Sequence, residues 1–177
     1  MRWVVFLLCF WLLATASTVA PERFAWDEKR LLRWSDFKGS PDTLEPWGAS
    51  SSTGISQSYA VDGSGVLLKE HVVVAAHFYP DFSWSRPRHR SKHLLGHEQT
   101  HFDITEVYAR KLARRIEAYS FTSNSLKEIK TIYEEIERER VAVQQQFDKE
   151  SNHSMDHMKE IQWELRVPRW LDDDFEE

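Results

Sequence analysis

The sequence predicts an α+β fold: a small antiparallel sheet or hairpin followed by three helices. Three observations predict it. Two Val- and Ser-rich segments between Gly48 and Phe78 flank a single Asp62-Gly63-Ser64-Gly65 turn. Apolar residues at helical spacing begin only after Arg90 and then dominate the chain. Two breaks, at Ser123–Ser125 and at Ser151–His153, cut that second half into three helices.

The chain opens with an address. Arg2 precedes an apolar run from Trp3 to Ala14, and Ala14-Thr15-Ala16 places small residues where a signal peptidase reads them. Residues 1–16 are therefore read as a signal peptide cleaved after Ala16, and the mature chain is expected to be secreted or periplasmic. The run is short for a hydrocarbon core of ~30 Å, so no stable membrane insertion is expected after cleavage. Cys9 is the one cysteine, which excludes an internal disulfide framework and thiolate zinc ribbons. Stability must then come from the core or from a metal.

Residues 17–171 are read as one domain and 172–177 as an acidic tail. A chain of 177 residues that is 41% hydrophobic can bury one core, and a formal charge of -5 makes it a poor candidate for a sequence-independent nucleic-acid binder. Residues 21–48 carry Trp26, Trp34, Phe37 and Trp47 among Pro and Gly, a pattern of short strands and turns. Gly48–Val61 and Val66–Phe78 form a hairpin across the Asp62–Gly65 turn. Pro80–Arg90 is a basic, aromatic loop.

The first helix spans about Ser91 to Tyr119, with Leu94, His97, His101, Thr105, Tyr108, Leu112 and Ile116 on one face. Ser125 with Glu128 reads as a capping box for the second, whose stripe is Leu126, Ile129, Ile132, Tyr133, Ile136, Val143 and Phe147. Ser154 caps a third helix that carries Met158, Ile161 and Leu165 and stops at Pro168.

The chemistry lies in His97-Glu98-Gln99-Thr100-His101, an H-E-x-x-H sequence inside the first helix. Residues at i and i+4 share one side of a helix, so both imidazoles can reach one zinc ion at about 2.0–2.1 Å. Glu98 is rotated about 100° from His97, beside the metal, where it can take a proton from water instead of ligating. The alternative is a pair of core histidines satisfied by hydrogen bonds. His93 extends the series, but eight residues of helix rise about 12 Å, too far for His93 and His101 to share an ion. Asp103 and Glu106 are read as carboxylates that orient a ligand or pair with a nearby base.

A catalytic zinc needs three protein ligands. The second helix, returning antiparallel to the first, ends near the level of His97, which makes His153 the expected third ligand. His157, Asp148 and Glu150 are its rivals. Tyr108, Tyr133 and His157 are candidates for stabilising an oxyanion.

The decapeptide His97–Glu106 resembles the signature of the bacterial domain-of-unknown-function 922 family, regarded as predicted secreted zinc-dependent proteases. Arg33-Trp34-Ser35-Asp36-Phe37-Lys38-Gly39, Thr53-Gly54-Ile55 and Phe82-Ser83-Trp84 resemble its earlier elements, and Phe147–Ser154 resembles its downstream Tyr-Asp-x-x-Thr-x-His-Gly element. Phe147 departs from that Tyr, Ser154 from that Gly, and Thr100 from a Gly common before the second His. The resemblance spans residues 31–166 and implies a zincin-like arrangement with the H-E-x-x-H on the first long helix.

The function expected is a zinc-dependent metallohydrolase acting on a peptide or protein substrate, with His97, His101 and His153 on Zn2+ and Glu98 as general base. Two other readings stand beside it. One is a non-catalytic, zinc-stabilised binding module of the cell envelope that uses its aromatic N-terminal half and the loop 79–90. The other is a helical partner-binding domain that uses charged faces such as Glu134-Glu135 and Arg138-Glu139-Arg140. A Glu between the two histidines favours the enzyme, because a structural zinc site has no need of it.

Overall fold

The computed structural model describes residues 20–172. The expected signal segment lies outside the described residues, as does the tail beyond Asp172. The architecture matches the α+β expectation. Five strands, β1 (Phe24–Ala25), β2 (Ala49–Ser50), β3 (Thr53–Val61), β4 (Leu67–Phe78) and β5 (Trp84–Ser85), precede three helices, α1 (Lys92–Ala118), α2 (Ser125–Ser151) and α3 (His157–Asp172).

The hairpin is β3–β4, antiparallel, with Ile55 opposite Ala76 and Thr53 opposite Phe78. Its turn is tied by Asp62, whose Oδ1 accepts the N–H groups of Ser64 and Val66 at 2.8 and 3.0 Å. β1 adds to the other edge of β4, giving the order β1-β4-β3. The long first segment of the sequence reading breaks at Ser51–Ser52. Its start becomes β2, which leaves the main sheet and pairs with β5.

α1 is the central element, with the sheet on one side and α2 and α3 on the other. Its cap is local: the Leu94 N–H donates to Ser91 Oγ at 3.0 Å. Covered on both sides, it buries more than one stripe; Phe102, Ile104, Val107 and Leu112 are all fully buried. Arg115 pairs with Glu135, Lys111 with Glu139, and His101 with Gln144, so α2 runs antiparallel to α1. The end of α2 thereby lies beside the start of α1, as the sequence reading required.

Residues between β1 and β2 are pinned to α1. Gln99 Oε1 accepts the Leu32 N–H, and Asp103 Oδ1 accepts both Trp26 Nε1–H and Gln99 Nε2–H, each at 2.8 Å. Burial raises the Asp103 carboxyl above its ordinary value against those two bonds. Glu106 pairs with Arg110 Nε at 2.8 Å, the ordinary role considered for it.

Three local expectations are corrected. Asn124, not Ser125, occupies the N-cap of α2. Ser125 Oγ donates instead to Gly65 O at 2.6 Å, and Glu128 binds Thr122, so both groups serve the adjoining loop. At α3, Asp156 replaces Ser154 as the group that receives the first-turn N–H groups, from Lys159 and Glu160. The helix also runs through Pro168 to Asp172. Finally, α3 faces the other way. Glu160, Trp163 and Val167 are buried, whereas Met158, Ile161 and Leu165 are 69%, 48% and 61% exposed.

The link between α2 and α3 holds three consecutive residues at positive φ: Asn152 at 49°, His153 at 50° and Ser154 at 69°. Only the first is a usual helix C-cap. Ser154 also buries its Oγ without a hydrogen-bond partner among the described residues.

Two stability predictions follow from these corrections. Trp163→Ala should cost about 3–5 kcal/mol in denaturant unfolding, whereas Leu165→Ala should stay within about 0.5 kcal/mol. The reverse order would restore the sequence-derived stripe. Ser154→Gly should raise stability by about 1 kcal/mol, because it relieves a left-handed backbone and removes an unpaired buried hydroxyl.

Candidate metal centre

His97 and His101 leave α1 on the side that faces α2. There they meet Asp148, four residues beyond Gln144 on α2. His97 Nε2 lies 3.2 Å from Asp148 Oδ1, His101 Nε2 lies 3.0 Å from the same oxygen, and the two Nε2 atoms are 3.2 Å apart. Ligand atoms at about 2.0–2.1 Å from one tetrahedral ion stand about 3.3–3.4 Å from each other. The three edges thus fit a single ion of zinc's size. Among the described residues this is the group of His, Cys, Asp and Glu side chains that can chelate a metal.

The other ring nitrogens are fixed from behind. His97 Nδ1 faces both carboxylate oxygens of Glu160, at 3.1 and 3.2 Å. His101 Nδ1 faces Gln144 Oε1. The Gln144 amide is oriented by donation from Nε2 to His101 O and to Thr105 Oγ1, at 3.1 and 3.0 Å. Carboxylate and amide oxygens only accept, so both Nδ1 atoms carry hydrogen and the Nε2 atoms, the ones a metal would take, converge toward Asp148. Phe147 packs on His97 at 4.5 Å and on His101 at 5.0 Å between ring centroids, closing the apolar side.

Glu98 is 2% exposed and stands outside the three-residue group. Its Oε2 accepts a hydrogen bond of 2.5 Å from Ser51 Oγ. Both residues line an open cleft of about 450 Å³ with His97, His101, Asp148 and the β2 segment. The far rim of the cleft is the loop 42–47. Arg86 anchors it by donating to Trp47 O, Asp42 O and Glu45 O, at 2.6, 2.7 and 2.6 Å.

The expected third ligand is where the structure and the sequence reading part. Asp148, which the sequence ranked as a rival, occupies the position given to His153. His153 follows the end of α2, but the left-handed turn carries its ring onto Trp47, with stacked centroids 3.5 Å apart. Its Nδ1 is 3.6 Å from Asp148 Oδ1, beside the chelating group and not within it. His157 stacks on His93 at 4.0 Å, and Glu150 accepts Trp163 Nε1–H at 2.9 Å, so neither joins the site. His93 Nε2 itself bonds to Ser154 O at 2.9 Å. Of the three oxyanion candidates, Tyr133 donates to Ile55 O, Tyr108 lies in the core, and none lines the cleft.

Two residues of the site escaped the sequence reading. Gln144 stands four residues before Asp148, so an i, i+4 pair on α2 faces the i, i+4 histidines on α1. That spacing was the available signal. Glu160 is fully buried; its only mark in the sequence is an acidic residue in phase with Trp163 and Val167.

Burial disfavours a charged His97, yet its hydrogen bonds to Asp148 and Glu160 outweigh burial and lift its pKa to about 9. Burial also opposes a charged Asp148, but the two histidines hold its carboxyl well below the usual carboxylate range. The consequences for stability have opposite signs. In the metal-free chain, the His97 contribution is full below 6.5 and is lost as pH rises toward about 9. The Asp148 contribution is present above 3.8 and is lost as pH falls below it. Thermal unfolding of metal-free protein should therefore show the midpoint falling between pH 6.5 and 9. His97→Gln should flatten that fall. A metal competes with the His97 proton, so metal uptake near neutrality should release protons and tighten as pH rises.

No curated protein and no solved structure gives a match. A family model does: residues 83–154, the stretch that runs from the strand before α1 through His97, Glu98, His101, Asp148 and His153, match the family described as bacterial protein of unknown function (DUF922), the same family that the motifs indicated.

Proposed function

We propose that this chain is a zinc-dependent hydrolase that cleaves peptide bonds. The observation that carries the reading is the convergence of His97 Nε2, His101 Nε2 and Asp148 Oδ1 within 3.2 Å, with a buried Glu98 beside them and outside the group. Zinc suits two imidazoles and one carboxylate, and when bound it supplies Lewis acidity toward a water and a carbonyl. His97, His101 and Asp148 would hold it, with Glu160 and Gln144 orienting the imidazoles.

The remaining work belongs to Glu98. As a carboxylate in the cleft it accepts a proton from the attacking water and later passes that proton to the departing amine. A zinc-stabilised module without catalysis would need no such residue, so the position of Glu98 favours the hydrolase. The apolar run after Arg2 and the Ala14-Thr15-Ala16 site support an exported protein. Among the described residues, no helix is long and apolar enough to cross a membrane.

Elemental analysis of the purified mature chain should find one zinc per molecule. Asp148→Ala and His97→Ala should lose it, whereas His153→Ala should retain it. Retention by Asp148→Ala with loss by His153→Ala would return the ligand position to His153. Glu160→Gln should weaken zinc binding by about 10- to 100-fold. Glu98→Gln should keep its zinc and lose hydrolysis of a peptide library. Activity retained by that variant would remove Glu98 from the mechanism.

A further inference from the structure

Ser51 sits between two strands and belongs to neither, since β2 ends at Ser50 and β3 begins at Thr53. Its neighbours are clamped. Ser50 pairs with Trp84. The Ser52 N–H donates to Ser83 Oγ at 2.9 Å, and Ser52 O accepts the Tyr79 N–H at 3.0 Å. Ser83 Oγ in turn donates to Tyr79 O at 2.8 Å. The backbone on both sides of Ser51 is thus held, and its side chain points at α1.

The Ser51 hydroxyl has one hydrogen, and that hydrogen goes to Glu98 Oε2 at 2.5 Å; Glu98 O lies farther, at 3.4 Å. Glu98 Oε1 has no hydrogen-bond partner among the described residues. One carboxylate oxygen is therefore tethered and the other is left for the cleft. A carboxylate bound at one oxygen cannot swing freely about its last torsion, and misplacement by about 1 Å can cost a hundredfold in rate.

We propose that Ser51 is a positioning residue for Glu98, holding Oε2 so that Oε1 is the atom that accepts the proton from water. The proposal rests on the reading of Glu98 as the proton acceptor. Ser51 keeps its own hydrogen throughout. The proton gained by Glu98 comes from water and leaves with the amine, so the serine neither gains nor loses one.

The test compares wild type, Ser51→Ala and Ser51→Thr, each zinc-loaded and metal-free. On a quenched-fluorescent peptide library, Ser51→Ala should retain full zinc and lower kcat by about tenfold to a hundredfold with KM within about twofold. Ser51→Thr, which keeps the hydroxyl, should restore most of that loss. In metal-free protein, the ¹³C carboxyl resonance of Glu98, identified by its disappearance in Glu98→Gln, should shift in Ser51→Ala and return in Ser51→Thr. Should Ser51→Ala fail to fold, Ser51→Cys keeps the shape with a weak donor and should show the same drop. An unchanged kcat together with an unmoved resonance overturns the proposal, as does a loss in Ser51→Ala that Ser51→Thr does not rescue. If zinc-loaded wild type cleaves nothing while the resonance shifts in Ser51→Ala alone, the hydrolase reading fails and the hold of Ser51 on Glu98 stands.

Discussion

Two imidazoles and a carboxylate brought within 3.2 Å of one another, between α1 and α2, govern much of what packs around them. Such groups are costly to bury unless each has a partner, and the partners must come from elements that would otherwise be free to turn. Gln144 is committed to His101, which sets the face that α2 shows to α1. Glu160 is committed to His97 at full burial, which sets the face that α3 shows to both.

This requirement explains why α3 defies its own apolar pattern. Met158, Ile161 and Leu165 form the stripe that hydrophobicity alone would bury. Turning them inward would expose Glu160 and leave His97 Nδ1 without an acceptor in a buried position. The observed face offers Trp163 and Val167 as replacement core, and the Trp163 indole N–H finds Glu150 at 2.9 Å. A buried carboxylate bound to a buried imidazole thus outweighs about three exposed apolar side chains, each worth about 1.5–3 kcal/mol at full burial. Trp163, the largest fully buried side chain, recovers part of that loss.

The legible parts of the fold were those set by local period. The β3–β4 hairpin and the lengths of α1 and α2 follow from spacing and turn residues. The two histidines and Glu98 were legible because one helix carries all three. Asp148 was visible as a carboxylate of the right level but lost to His153, since the sequence does not announce three successive left-handed residues at 152–154. Those residues swing His153 onto Trp47, a contact that also depends on Arg86 holding the loop 42–47. Which side chain stands third beside the two imidazoles was therefore decided by backbone conformation and by a partner about a hundred residues away in sequence, neither of which spacing encodes. Glu160 was hidden for a related reason, because a charged residue on a helix is ordinarily a solvent-facing one.

The site has two unlike sides, and the difference constrains how anything can approach it. Phe147 packs against both imidazoles, is fully buried and closes the face it covers, while a smaller opening of about 290 Å³ between α2 and residues 51–53 reaches Gln144 and Asp148. On the opposite side the cleft is walled by the β2 segment, with Glu98 and Ser51 between that strand and the histidines. Anything that enters by this cleft passes β2, Trp47 and Glu98 on its way to the point where His97, His101 and Asp148 converge. Glu98 lines that cleft, and Phe147 forms the apolar wall behind the imidazoles. That asymmetry comes from the same packing that buries Glu160: α2 and α3 cover one side of α1, and the short strand pair β2–β5, split from the main sheet at Ser51–Ser52, leaves a cleft between β2 and the histidines.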